Sequence, residues 1–461
     1  MNESFALAQY IYETDYDDLP HEAADVTKKA LLDGIGVILG ATTLGEGCRL
    51  FVELAKRGGG KPESTIIGFN ARVPSYMAAF ANGAMAHALD FEDAHEGALV
   101  HSNAAPIPAG LAVAEATGKT GGKELITALT LGSDIVCRLG LALKDNPLDH
   151  GWYTPPILGA FGATATASKL LGLTPEQIVD ALSLCLCQAT CTAEIVSSPR
   201  SYMRAVRDSF AAKSGVLSAL LVKDGVRGFD YPIEGKAGLF GLFANGNYDS
   251  DVLLKDLGVT FESANIAFKP WPSCRGTHAY IQGAIELARE GNIGPEDIEA
   301  VKVVVGESPL NRRLCEPLER KRHPAVAIDA KFSIPFTVAV ALVRGAVTLD
   351  HFTADALKSR EVLQIAERVT CEVIADEVWK HSSEEGYVEM KLKDGEVKSR
   401  NIRLVYGQPL NPMDAQSLIA KFKNCASYSE KKIPEKTIQE IVQMVMNLEG
   451  LTHIGQLTEV L

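Results

Sequence analysis

Blocks of small and apolar residues, each as long as a helix, dominate residues 23–246 and constrain the fold more than any other feature of the sequence. In the first block, 23–44, apolar residues recur three and four positions apart, as they do on the buried face of an amphipathic helix. Similar blocks occupy residues 75–89, 106–116, 122–141, 159–171 and 175–189. Because so many of their residues are alanine or glycine, neighbouring helices can pack closely, and the region predicts a large helical domain.

A different pattern begins after about residue 268. The segment 301–306, VKVVVG, is short and rich in β-branched residues, which is typical of a strand. Two further strand-like segments, 387–392 and 397–405, flank an Asp-Gly pair that favours a hairpin turn. The C-terminal segment, 414–461, returns to charged helices.

These patterns predict a mainly α fold with an inserted α+β domain. We place the helical domain at residues 1–266 and 408–461, and the smaller α+β domain at residues 267–407.

Composition limits the kinds of partner that the protein can bind and the cellular compartment in which we expect it. The formal net charge of -13 argues against binding to nucleic acid or to an anionic membrane surface. The apolar run 334–343 is far shorter than the ~20 residues that span a bilayer, and the N-terminus lacks the features of a secretory signal. The nine cysteines include no CxxC pair, and we expect a reduced, cytoplasmic protein with no membrane partner.

The segment NGAMAHALDFEDAHEGALVHSN, residues 82–103, concentrates groups that exchange protons near neutral pH. They are His87, Asp90, Glu92, Asp93, His95, Glu96 and His101. A helix through His87 would place Asp90 on the same face, one turn further on. For Glu92, Asp93 and Glu96 a solvated loop after a helix end is the plainer interpretation, whereas Asp90 and His101 have apolar neighbours and are the stronger candidates. His and carboxylate side chains can also bind metals, but no His-x-x-x-His pair supports a metal site here.

Two further segments carry candidate side chains. Tyr153 lies in HGWYT, directly before a helix of small residues, where it lines a cavity or packs in the core. Arg200, Arg204 and Arg207 follow at 198–213, and the last two share a helix face. They are either solvated charges or a clamp for carboxylates, which the planar guanidinium binds well.

The segment FKPWPSCRGTH, residues 268–278, is the second strongest local signal. Its prolines favour an extended entry, and a helix then begins at about Thr277. Lys269, Arg275 and His278 therefore lie near a helix start, which favours anions. The alternative is an exposed basic turn.

These motifs in this order resemble the MmgE/PrpD family, which includes 2-methylcitrate dehydratase, cis-aconitate decarboxylase and iminodisuccinate epimerase. The matching segments are AAFANGAMAHALDFEDAH, HGWYTPPILGAFGATATASKLLGL, FKPWPSCRGTH and AKFSIPF, and the resemblance extends from about residue 23 to about residue 421. It implies a large all-helical domain with a smaller, mixed, lid-like domain inserted in it and a site at their junction. It also implies a homodimer that works without a cofactor, and we expect no metal.

The resemblance assigns roles by position. Asp90 and His101 match the acidic residue and the histidine of the first family motif, and Lys269 and His278 match the lysine and histidine of the third. Tyr153 stands where many members have histidine. Other departures are Arg204 for lysine, Ala94 for threonine and Ser102 for proline.

The reactions of the family build negative charge on substrate carboxylates while a proton or CO2 leaves, so a site needs an acid, a base and cations. We expect Asp90, His101, His278 and Tyr153 to be catalytic, and Arg204, Arg207, Lys269 and Cys274 to bind the substrate. The leading hypothesis is a hydro-lyase of the 2-methylcitrate dehydratase type that acts on a small di- or tricarboxylate. Decarboxylation, epimerisation of a small diacid and non-catalytic carboxylate binding are the alternatives.

Overall fold

The structure is a computed structural model that describes residues 2–198, 201–375, 377–378 and 385–461. The chain divides into two units, Met1–Phe268 with Asp414–Leu461, and Lys269–Met413. The first is built mainly from helices and the second combines helices with a four-stranded sheet. The mainly α fold with a smaller α+β unit, predicted from the sequence, is thereby confirmed.

The first unit contains the helix-length blocks that the sequence predicts. Its helices are Glu3–Glu13, His21–Leu44, Cys48–Gly58, Ser75–Ala86, Pro106–Thr117, Gly122–Ala142, Thr154–Leu171, Pro175–Leu186, Met203–Val206, Asp208–Lys223, Leu239–Phe243, Ser250–Leu254, Ala415–Ser427, Glu435–Met446 and Gly455–Thr458. The all-helical domain that the family resemblance implies is wrong in one place. Strands β1, Ser64–Thr65, and β2, Arg72–Val73, pair antiparallel as a short hairpin.

A glycine sets the close approach of two helices that lead to the candidate site. A Cβ at Gly83, in the helix Ser75–Ala86, would lie 2.8 Å from the carbonyl oxygen of Asp208 and 3.0 Å from the Cβ of Ala212. Only glycine therefore allows this helix to pack so closely against the helix Asp208–Lys223. As a result the end of one helix, at His87, lies near the beginning of the other.

The helix Gly122–Ala142 passes through the interior of this unit. Among the described residues it is long and apolar enough to cross a bilayer, and the pair His21–Leu44 and Cys48–Gly58 also passes that test together, with a bend of 95°. In Gly122–Ala142, however, 89% of the apolar window is buried inside the protein. Packing in a helical core therefore accounts for its apolar composition.

The second unit contains a four-stranded sheet. Its strands are β3, Ile298–Gly306, β4, Val369–Ile374, β5, Gly386–Leu392, and β6, Val397–Ile402, in the order β4-β3-β5-β6. Strand β3 pairs parallel with β4 and antiparallel with β5, and β5 and β6 form the predicted hairpin. The helices of this unit are His278–Gly291, Pro309–Cys315, Leu318–Arg322, Ala327–Lys331, Ile334–Arg344 and Arg360–Ala366.

Candidate active site

The first motif begins at a helix end and continues as a buried loop. The helix that precedes it ends at Ala86, so the helical extension predicted as far as residue 89 is wrong. His87 and Asp90 both lie beyond this helix end, so the helix predicted to place them on one face is wrong, and Asp90 adopts a left-handed conformation with φ of 50°. Outside glycine this conformation is uncommon, although the short polar side chain of Asp tolerates it, and such residues cluster at functional sites.

Glu92 links two histidines at the centre of this loop. Its Oε1 lies 2.9 Å from Nδ1 of His101 and also contacts Nδ1 of His87. Nδ1 of His101 is in addition 3.1 Å from the carbonyl oxygen of Asp93. Because both neighbours of this nitrogen are acceptors, we assign its proton to Nδ1, which leaves Nε2 of His101 to exchange a proton with a substrate.

Burial and charge fix the ionisation of two members of this group. Burial would raise the pKa of the Glu92 carboxyl, but the contacts with His87 and His101 outweigh it and hold the pKa well below its usual range. Burial, together with the positive charge of Arg207, lowers the pKa of His87 to about 3 although Glu92 opposes the shift. Glu92 is therefore ionised and His87 neutral near pH 7, so the negative charge of Glu92 is available to stabilise a protonated His101.

The lowered pKa of His87 predicts a loss of stability in mild acid. Below its ordinary pKa of 6.5 the unfolded chain binds a proton on His87 that the folded protein does not. Stability therefore falls as the pH falls, by about 2 kcal/mol from this group between pH 7.5 and 5. In the variant His87→Gln we expect this dependence to be shallower by about that amount, as measured by chemical denaturation at both pH values. The variant His21→Gln, at an exposed position, should keep the wild-type dependence. Equal dependence in wild type and His87→Gln would contradict the assignment.

Arg207 brings a buried positive charge to the same loop. Its Nη1 donates to the carbonyl oxygen of Arg204 at 3.0 Å, and its Nε lies 3.4 Å from Oδ2 of Asp208. Burial lowers the pKa of this guanidinium, but the charges of Tyr153, Asp208 and Glu92 together raise the pKa by a larger amount. The guanidinium therefore stays charged. Its Nη2 is buried and has no hydrogen-bond partner among the described residues. A buried donor without a partner is costly, and a ligand carboxylate would satisfy it.

Tyr153 and Arg204 lie beside Arg207. Nη2 of Arg204 donates to the hydroxyl of Tyr153 at 3.4 Å, and the guanidinium of Arg207 lies 5.0 Å from the centre of the Tyr153 ring. The structure therefore brings these three predicted site residues together, and through Arg207 it connects them to Glu92 and His87. Arg200 lies outside the described residues.

The third motif has its own arrangement in the second unit. His278 is buried at the start of the helix His278–Gly291, where its Nδ1 is 3.1 Å from Nη1 of Arg275 and its Nε2 is 3.2 Å from the carbonyl oxygen of Ser273. The ring of Trp271 packs edge-on against the imidazole, with ring centres 5.2 Å apart. The exposed basic turn that was the alternative for this segment is wrong, because these side chains are buried.

Two predicted substrate-binding residues, Lys269 and Cys274, are buried in the same unit. The backbone N–H of Cys274 donates to the carbonyl oxygen of Lys331 at 2.9 Å. The roles of Lys269, Cys274 and His278 stay predictions.

Comparison with known proteins identifies the family of this chain. Residues 6–250 match the MmgE/PrpD N-terminal domain and residues 271–447 match the MmgE/PrpD C-terminal domain. The chain belongs to the MmgE/PrpD family.

Several relatives in the family are named for one reaction. A cis-aconitate decarboxylase-like protein of Aspergillus oryzae is 27% identical over 99% of this chain and 96% of its own length. The human cis-aconitate decarboxylase is 26% identical over 100% of this chain and 94% of its own length. The cis-aconitate decarboxylase of Aspergillus terreus is 26% identical over 96% of this chain and 93% of its own length.

The positions that are expected to depart from the family pattern contact other polar groups. Tyr153 and Arg204, expected in place of a histidine and a lysine, contact each other. Ser102, expected in place of a proline, donates its hydroxyl to Oδ2 of Asp93 at 2.8 Å, and the side chain of Asn103 donates to the same oxygen at 3.2 Å. These hydrogen bonds satisfy one oxygen of Asp93 within the loop.

Four side chains of the first motif have the chemistry to bind a metal ion. Ligand atoms of His87, Asp90, Glu92 and His101 all lie within 4.8 Å of one another. The charge of Arg207, which already lowers the pKa of His87, opposes a further cation at this point. The Nδ1 atoms of both histidines also face Glu92 as hydrogen-bond donors. These groups therefore fit a proton-transfer network better than a metal site.

Glu92 and His87 were recognised as titratable residues of the segment, but sequence reasoning did not include them among the site residues. The solvated loop expected for Glu92 and Asp93 is wrong, since both are buried. One sequence signal could have indicated their burial: residues 82–103 contain no lysine or arginine. Carboxylates without nearby cations in the sequence can instead be stabilised by hydrogen bonds to the histidines of the same cluster.

Proposed function

We propose that this protein is a lyase that removes a carboxyl group, as CO2, from a small unsaturated di- or tricarboxylate of the cis-aconitate type. The observation that carries the proposal is the buried group in which ionised Glu92 bonds His101 while Arg207 lies close by. This group supplies a proton donor or acceptor and a cation for a carboxylate. The names of the relatives support decarboxylation over the dehydration that the sequence favoured.

The residues of the first unit suit such a reaction. Loss of CO2 breaks the bond between a carboxyl carbon and its neighbour, and the electron pair that remains spreads through the adjacent double bond towards a second carboxylate. Arg207 would bind the carboxylate that gains this charge, because a preorganised cation in a buried site stabilises developing charge strongly. His101, protonated on both nitrogens, would then deliver the Nε2 proton to carbon, and Glu92 would stabilise the imidazolium beforehand.

Tyr153 and Arg204 are then candidates for substrate specificity. In place of a histidine and a lysine they present a phenol and a second guanidinium, so this site has a hydroxyl donor and a planar, bidentate cation. We therefore expect a substrate whose carboxylates differ in spacing from those that other family members bind. His278 remains the second candidate for proton transfer, and Lys269 a candidate for carboxylate binding.

Proton NMR in D2O with a panel of acids tests the proposal. The panel contains cis-aconitate, 2-methylcitrate, citrate and an epimerisable diacid, and each is incubated with purified protein in the presence of a chelator. The expected result is release of CO2 from an unsaturated acid, with one solvent deuterium on the product carbon and turnover that the chelator leaves unchanged.

The other outcomes assign a different reaction. Loss of water without CO2 would establish the dehydratase, and deuterium exchange without net loss of either would establish the epimerase. Binding of these acids without any turnover would identify a carboxylate-binding protein. Each of these results would overturn the decarboxylase proposal.

A further inference from the structure

A buried ion pair lies directly behind the loop of the first motif. Nζ of Lys421, in the helix Ala415–Ser427, is 2.6 Å from Oδ1 of Asp33, in the helix His21–Leu44. The same ammonium donates to the carbonyl oxygen of Phe91 at 2.6 Å and lies 4.0 Å from the centre of its ring. Phe91 stands between Asp90 and Glu92 in the chain.

We propose that Lys421, oriented by Asp33, is a positioning residue that fixes the peptide between Asp90 and Glu92. Lys421 bonds the backbone of this loop, and the proposal gives it no contact with the substrate. By holding the Phe91 carbonyl it sets the direction in which the next residue, Glu92, projects towards His87 and His101.

The conformation of the loop makes such an anchor necessary. Asp90 is left-handed, a conformation that costs energy and persists only when its surroundings enforce it. The Phe91 carbonyl is buried with its residue, so without the ammonium it would lack this donor and the peptide would tend to turn towards another. A displacement of about 1 Å in a catalytic group can reduce turnover by about 10²-fold.

A contribution to stability alone does not account for this ion pair. Both side chains are buried, and replacing a buried ion pair by apolar residues of similar size is often neutral or stabilising. Burial raises the pKa of Asp33 to about 6 despite Lys421, and the charges of Asp93 and Glu92 contribute to the rise. Keeping the Asp33 carboxylate charged at this buried position therefore costs free energy. A function of the ion pair in holding the loop explains why the ion pair is present.

A second ion pair in the same unit provides a matched control. Lys28 lies on the same helix as Asp33, is similarly buried, and pairs at 3.2 Å with Glu449 from the C-terminal segment. Within the part of the chain that the structure describes, its ammonium donates to the two carboxylate oxygens of Glu449, so it joins the same parts of the chain without bonding the loop. The variant Lys28→Met therefore reports the effect of losing a bridge between the same parts of the chain, one whose carboxylate, Glu449, is exposed where Asp33 is buried.

The test compares Lys421→Met, the double variant Asp33→Leu/Lys421→Met and Lys28→Met. The single change at 421 leaves Asp33 buried without its cation, so we expect a lower Tm and a lower kcat. The double change removes both charges, so we expect Tm to recover most of that loss while kcat stays about 10- to 100-fold below wild type, because the Phe91 carbonyl still lacks its donor. KM should change little, since Arg207 is untouched. Lys28→Met should lower Tm alone.

A second readout does not depend on the substrate. The kinetic comparison rests on the proposed function, whereas ¹⁵N NMR of the histidine rings reports the bond between Glu92 and His101 directly. In the double variant the His101 signals, assigned with His101→Gln, should shift from their wild-type positions, and in Lys28→Met they should not. Wild-type kcat or wild-type His101 signals in the double variant would overturn the positioning role. If the wild type turned over no acid in the panel, the proposed function would fail, and the NMR result would still decide this inference.

Discussion

The variant His101→Gln is expected to lower kcat by about 10²- to 10⁴-fold on whichever acid the wild type turns over, the range for loss of acid–base help. Glutamine can still donate a hydrogen bond to Glu92, which His101 contacts at 2.9 Å, so the loop should keep its conformation. It cannot accept and return a proton as the imidazole does. Steady-state kinetics together with a thermal unfolding curve measure both effects.

Two comparisons make this result specific. His150 is exposed, and its Nε2 is 2.9 Å from the side chain of Asn245, so His150→Gln should keep the wild-type kcat. Glu92→Gln should also lower kcat, because a neutral amide cannot stabilise a protonated His101. A folded His101→Gln protein with kcat within about threefold of wild type would rule out His101 as the proton-transfer group, since lost acid–base help costs far more.

The helical part of the fold was predictable because its signal is local. Blocks of small and apolar residues placed six helices of the first unit within about five residues, and the Asp-Gly turn placed the hairpin of β5 and β6. Strand β4, Val369–Ile374, was not predicted. Its parallel pairing with β3 joins residues far apart in the chain, and no turn sequence links them to reveal it.

The candidate site was only partly predictable, for a related reason. The titratable residues of 82–103 stand out in an alanine-rich region, but the sequence cannot show which of them are buried. Glu92 gains its importance from His87, five residues away across a helix end, and from Arg207, more than a hundred residues downstream. The helix that the pattern would have continued ends at Ala86, and Asp90 in the following loop is left-handed. Such features depend on tertiary contacts, which override local preference.

Replacement of Arg207 is the second change with a large expected effect. In Arg207→Lys the positive charge remains but the fork that could bind a carboxylate at two points is lost. Loss of one hydrogen bond to a charged group typically costs about 1.5–3 kcal/mol, so we expect kcat/KM to fall by about 10- to 10²-fold. Kinetics over a range of substrate concentrations separates a rise in KM, expected from lost binding, from a fall in kcat.

Arg138 is a matched control for this experiment. It is also a buried arginine, with its Nε 2.6 Å from Oδ2 of Asp134, but its remaining bonds go to the backbone carbonyl oxygens of Leu253, Lys255 and Thr260. Arg138→Lys should therefore lower the free energy of unfolding without the loss in kcat/KM. If both variants lost stability and neither lost kcat/KM, Arg207 would be a structural cation like Arg138, and its unpaired Nη2 would not be a carboxylate site. If only Arg207→Lys lost kcat/KM, the buried guanidinium would be acting on the substrate, because the cost of disturbing a buried arginine is common to both.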